Sequence, residues 1–132
     1  MNTPKPRILC TEDDPDTREL VSLTLEYAGF EVACVDSAKE AVQLARTEAF
    51  DLYLLDNWMP GLSGVGLCEK LREFDMKTPI LFYSAAAYET DKKRAFTAGA
   101  QGYVTKPADG DVLVAKVREL LSDADSFTEL RA

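Results

Sequence analysis

The stretch D51-L-Y-L-L-D-N-W-M-P60 decides the fold. Leu52 to Leu55 form an apolar run of strand length, apolar enough to lie inside a sheet, and the run ends on the carboxylate of Asp56. Pro60-Gly61 then signals a turn, and Ser63 stands where it can cap the next helix. A charge at the end of an interior strand needs a reason, and the rest of the chain supplies one.

Four more β-rich runs flank this one: I8-L-C-T11, E31-V-A-C-V35, I80-L-F-Y-S84 and G102-Y-V-T105. The segments between them have helical period. T17-R-E-L-V-S-L-T-L-E-Y-A28 places Thr17, Leu20, Val21, Thr24, Leu25 and Ala28 on one face and stops at Gly29, with Asp14 as N-cap and Pro15 in the first helical position. A second helix is expected over residues 37–48, with Ala38, Ala41, Val42 and Ala45 inward. The last is expected over residues 109–121, with Leu113, Val117, Leu120 and Leu121 inward. The third and fourth helices have weaker patterns. Strand alternating with helix five times predicts an α/β fold: a parallel, doubly wound five-stranded sheet with five helices on its two faces, since parallel neighbours need crossover connections.

Length and composition agree. A chain of 132 residues fits one domain that buries about two-thirds of its unfolded surface. Residues 1–122 are read as that domain, and 123–132 as a short C-terminal tail with no effector domain following. With 46% apolar and 29% charged residues the chain reads as globular rather than disordered or membrane-inserted. The start, MNTPKPRILC, lacks the apolar core of a secretory signal, so a cytoplasmic location is expected. Cys10, Cys34 and Cys68 lack metal-ligand spacing and read as reduced core residues. A formal charge of −8 argues against direct nucleic-acid binding, which needs clustered Lys and Arg. The basic run K92-K93-R94 reads as a solvated helix face. With no histidine, the chain can form no Ser-His or Cys-His catalytic pair and can carry no phosphohistidine.

In an open parallel sheet, ligands bind beyond the carboxyl ends of the strands, where strand order reverses; for order 2-1-3-4-5 that is between strands 1 and 3. Strand 1 runs into Glu12 and Asp13, and strand 3 ends at Asp56, so three carboxylates meet in one crevice. Like charges so close repel, and a hard divalent cation relieves them. Mg²⁺ suits the site: it takes oxygen ligands, and one or two carboxylates usually hold it together with phosphate oxygens. Strand 4 ends at the hydroxyl of Ser84, and strand 5 leads to Lys106-Pro107. Hydroxyl, ammonium and metal together can neutralise a transferring phosphoryl group, and an aspartate can itself accept it as an acyl phosphate.

The set E12-D13, D56-N-W-M-P-G61, S84-A85 and Y103-V-T-K106-P107 resembles the receiver domain of two-component response regulators over about residues 6–122, in a stand-alone form similar to the chemotaxis regulators. The resemblance implies the flavodoxin-like order 2-1-3-4-5 and assigns the roles. Asp56 would be the phosphoacceptor. Asp13 and Asp56 would ligate Mg²⁺ directly, Glu12 through water, and Trp58 by its backbone carbonyl. Ser84 and Lys106 would contact the phosphoryl oxygens. Ser84 and Tyr103 would form the switch that reshapes the surface of helix 4, strand 5 and helix 5. The implied donor is a histidine kinase or histidine phosphotransfer protein, and the implied reader is a downstream protein target. Such a chain is a phosphoacceptor with self-catalysed phosphorylation and dephosphorylation, not an enzyme acting on a separate substrate.

Plainer readings exist for each residue alone. Asp56 could be a turn residue, Ser84 a strand-end hydroxyl, Lys106 a solvated lysine and Tyr103 a packing residue; their combination argues otherwise. Asp14 goes the other way, because capping before Pro15 accounts for it, and it is left out of the metal site. Three competing functions fit less well. A haloacid-dehalogenase-like phosphatase wants a second Asp two residues after the first, where this chain has Trp58. A flavodoxin-like FMN carrier wants a Ser/Thr/Gly-rich loop where this chain has Glu12, Asp13 and Asp14. A receiver-like scaffold that binds without phosphorylation would not need the full set of site residues.

Overall fold

The computed structural model describes residues 4–131. Five strands and five helices alternate: β1 Arg7–Thr11, α1 Pro15–Tyr27, β2 Glu31–Val35, α2 Ala38–Thr47, β3 Leu52–Leu55, α3 Gly64–Arg72, β4 Ile80–Ser84, α4 Glu89–Ala98, β5 Gly102–Thr105 and α5 Gly110–Arg131. The strands are all parallel, in the order β2-β1-β3-β4-β5. Order reverses at β1 and β3, as expected.

Side-chain alternation along the strands divides the core in two. Leu9, Tyr53, Leu55, Ile80 and Phe82 face α2, α3 and α4 and pack on Ala41, Leu67, Leu71 and Ala95. Ile8, Cys10, Leu52, Leu54, Leu81 and Val104 face α1 and α5 and pack on Val21, Leu25, Leu113 and Val117. Every residue of β3 is buried, which is why its sequence shows no polar alternation. Among the described residues, no helix is long and apolar enough to cross a membrane.

Local signals set the helix ends. The Asp14 carboxylate accepts from Thr17 N–H (2.9 Å) with Pro15 opening α1, and Gly29 leaves the helix at φ +101°. Ser37 caps α2 by accepting from Glu40 N–H (3.3 Å), and Ser63 caps α3 by accepting from Gly66 N–H (3.2 Å). Lys93 and Arg94 lie exposed on α4.

Two expectations change. The stripe on α1 centres on the buried pair Val21 and Leu25, which leaves Leu20 at 63% exposure, one helical step off the line that meets the sheet. The last helix is longer than the expected 109–121, because α5 continues to Arg131. The apolar period fades after Leu121, but no glycine or proline follows Gly110 to end the helix.

Candidate phosphoacceptor site

Backbone pairing delivers the acidic residues to one place. Glu12 N–H donates to Val35 C=O (3.0 Å), and Asp56 N–H donates to Thr11 C=O (3.2 Å), which fixes the ends of β1 and β3 side by side. Carboxylate oxygens of Glu12, Asp13 and Asp56 consequently lie within 4.8 Å of one another. Glu12 and Asp56 are buried, and Asp13 is the most accessible of the three.

Lys106 enters from the other side. Its N–H donates to Ser84 C=O (2.9 Å) at the end of β4, and its ammonium lies 3.2 Å from Glu12 Oε1 and 3.5 Å from Asp56 Oδ2. The same ammonium sits over the Tyr83 ring, 5.2 Å from its centroid. The Lys106 ammonium thus faces two of the three carboxylates. Burial, then the Asp56 carboxylate, pushes the Glu12 carboxyl up to about 8, and Lys106 works in the opposite direction. The crowding is an excess of negative charge over what Lys106 supplies. The donors are all hard oxygens, so the cluster fits a small divalent cation such as Mg²⁺ and does not fit a thiophilic metal.

The other expected residues lie around this cluster. Trp58 N–H donates to Asp56 Oδ1 (3.2 Å), which holds its backbone beside that carboxylate while the indole is 61% exposed. Ser84 is fully buried and its hydroxyl oxygen accepts from Ala86 N–H (3.2 Å), on the loop after β4. Tyr103 reaches the same loop: its ring stacks on Phe82 at 5.6 Å and its hydroxyl donates to Ala86 C=O (2.5 Å). Asp14 is occupied as a cap, bonded to Thr17 N–H and to the Thr17 hydroxyl (2.6 Å).

Four further residues shape the site, and none announces itself in the sequence. Arg18 donates to the carbonyls of Glu12 (2.9 Å) and Asp13 (3.3 Å), pinning the acidic loop from α1. Asn57 lies beside Tyr103, with its Nδ2 3.5 Å from the tyrosine oxygen. Ala86 joins Ser84 to Tyr103 through its N–H and its C=O. Gly64 donates to Asn57 C=O (3.1 Å), and a Cβ on it would stand 2.3 Å from the Asp56 carbonyl oxygen, so only glycine fits there. The nearest available signals were the residue after Asp56 and the glycine opening α3; backbone contacts such as those of Arg18 leave no trace in side-chain pattern.

Comparison with known proteins agrees with this geometry. A family model described as "Response regulator receiver domain" matches residues 8–118. The chain is similar to the transcriptional regulatory protein CseB of Streptomyces coelicolor, 40% identical over 114 residues that cover 86% of this chain and 48% of CseB. It therefore spans about half the length of that relative. Among solved structures it is similar to a CheY-like response regulator receiver domain protein from Methanospirillum hungatei, with a TM-score of 0.89, 27% identity, and coverage of 93% of this chain and 98% of the other. It is also similar to the BeF3-activated DrrB receiver domain, with a TM-score of 0.81, 28% identity, and coverage of 90% and 99%. With its fold, its clustered acidic residues and these matches in agreement, the chain belongs to the response regulator receiver domain family.

Proposed function

We propose that Asp56 accepts a phosphoryl group from a phosphohistidine on a histidine kinase or histidine phosphotransfer protein. These 132 residues contain no histidine, so the donor imidazole lies outside them. The observation that carries the reading is the Lys106 ammonium lodged between Glu12 and Asp56, within a cluster of three carboxylates at the carboxyl edge of the sheet.

A carboxylate oxygen of Asp56 attacks phosphorus, the P–N bond breaks, and the imidazole leaves as the acyl phosphate forms. Asp13 and Asp56 would hold Mg²⁺ directly, Glu12 through water, and Trp58 by its carbonyl; the bound cation supplies positive charge to the phosphoryl oxygens. Lys106 supplies the second positive charge and orients the group. Ser84 can donate its hydroxyl proton to a phosphoryl oxygen, and doing so competes with its bond to Ala86. Because Ala86 also accepts from Tyr103, a shift of Ser84 loosens the turn that holds the tyrosine, and so reaches the surface of α4, β5 and α5. That surface is read by a downstream protein target. Acceptor and charge-neutralising groups share one chain, so phosphorylation and dephosphorylation are self-catalysed rather than turnover of a separate substrate.

Calorimetry tests the cation and phosphoryl sites separately. Millimolar Mg²⁺ should bind, and beryllofluoride should bind only in its presence. Asp13→Ala should weaken the first event and Asp56→Asn should remove the second. Absence of Mg²⁺ binding, or beryllofluoride binding unaffected by Asp56→Asn, would contradict the reading.

A further inference from the structure

The α1/α5 face of the sheet carries a pair of thiols that phosphoryl chemistry does not use. Cys10 on β1 and Cys34 on the edge strand β2 are register partners in the parallel ladder. Neighbouring strands run about 4.7–4.9 Å apart, inside the roughly 4.4–6.8 Å between Cα atoms that a disulfide spans. Both side chains belong to the same apolar cluster on one face of the sheet. The sequence shows two unrelated cysteines 24 positions apart; register makes them neighbours.

Their surroundings differ in a way that assigns roles. Cys10 is 2% exposed, whereas Cys34 is half-buried on the sheet edge. Cys34 Sγ lies 2.9 Å from the Ser22 hydroxyl. The neighbouring Cys10 thiol, followed by the Ser22 hydroxyl, lowers the Cys34 thiol from its ordinary value despite partial burial, and the charge of Arg18 acts in the same direction. Cys68 is a built-in comparison: it lies across the sheet in the other core cluster, donates to Ala98 C=O (3.4 Å), and burial pushes its thiol up to about 11.

We propose that Cys34 and Cys10 are a peroxide-oxidisable dithiol that closes into an intramolecular disulfide between β2 and β1. In the first step the Cys34 thiolate attacks a hydrogen peroxide oxygen, the O–O bond breaks, and the departing hydroxide takes up a proton as water, leaving Cys34 sulfenic acid. In the second, Cys10 sulfur attacks Cys34 sulfur, the S–O bond breaks, and the hydroxyl leaves with the Cys10 proton as a second water. Two thiols lose two electrons and peroxide is reduced to water. Cys34 is the attacking thiol because it is the accessible one, and Cys10 is the resolving thiol because it is in register beside it.

The test treats the reduced, folded chain with stoichiometric hydrogen peroxide, caps free thiols with N-ethylmaleimide under denaturing conditions, and maps the peptides without reduction. The expected product carries a Cys10–Cys34 cross-linked peptide and a cap on Cys68 alone, and dithiothreitol restores all three thiols. Cys10→Val, which suits the apolar site, should leave Cys34 as a sulfenic acid trapped by dimedone. Capping of all three cysteines after peroxide, oxidation of Cys34 with Cys10 still capped, or cross-links found only between chains would overturn the proposal.

Discussion

Replacing Glu12 by glutamine should make the metal-free protein more stable, increasingly so as pH rises. Glu12 titrates at about 8 in the folded chain against an ordinary value of 4.5, first because it is buried and then because Asp56 is beside it. Between those values the native state keeps a proton that the unfolded chain has released. Stability from this group is therefore fully present below 4.5 and is lost as pH rises through about 8. At about 1.4 kcal/mol per pH unit the loss reaches a ceiling on the order of 5 kcal/mol, a large share of the roughly 5–15 kcal/mol that holds a domain folded. Glutamine keeps the size and the neutral state and has no proton to lose. Urea unfolding of both proteins in chelator at pH 5, 6, 7 and 8 measures the difference, and subtraction removes the groups they share. We expect near-equality at pH 5 and an advantage for Glu12→Gln of a few kcal/mol at pH 8. Saturating Mg²⁺ should shrink or reverse that advantage, because a ligand bound only to the native state adds RT ln(1 + [L]/Kd). A difference that does not change with pH would refute the crowding argument.

Other outcomes follow from single contacts. Gly64→Ala brings a methyl group to 2.3 Å from the Asp56 carbonyl oxygen and 2.8 Å from Asn57 Cα, both backbone, so the end of β3 must move. A cost of about 1–3 kcal/mol in urea unfolding is expected, with weaker Mg²⁺ affinity by calorimetry; wild-type values for both would show that the contact is soft. Lys106→Ala should impair labelling by a small phosphodonor or the accompanying Trp58 fluorescence change while Mg²⁺ still binds, since the proposed function gives the lysine to the phosphoryl group and not to the metal. Unchanged labelling with an unchanged fluorescence response would remove Lys106 from the site.

What the sequence disclosed and what it withheld have physical causes. The strands were legible because a strand buried on both faces is a short apolar run, and four of the five bounds coincide with those runs: residues 31–35, 52–55, 80–84 and 102–105. The start of α1 was legible because Asp14-Pro15 is a local signal. The acidic crevice was legible because strand ends in this topology converge. Chain pattern carries less about contacts between elements. Nothing in it distinguishes Leu20, exposed, from Leu25, buried five positions on, until the helix is set on the sheet. The length of α5 was missed because apolar period, not helix continuity, marked its expected end. Gly64 against Asp56, Arg18 on the acidic loop, and Cys10 beside Cys34 are products of packing and register.

The central claim is that Asp56 accepts phosphate, and the most direct measurement locates the acyl phosphate on the chain. After incubation with phosphoramidate and Mg²⁺, borohydride reduces an aspartyl phosphate to homoserine, which peptide mass spectrometry places at a single position. We predict one phosphoryl group per chain by intact mass, labile to hydroxylamine, homoserine at position 56 alone, and neither signal in Asp56→Asn. Homoserine at position 13 or 14, or undiminished phosphorylation of Asp56→Asn, would contradict the account.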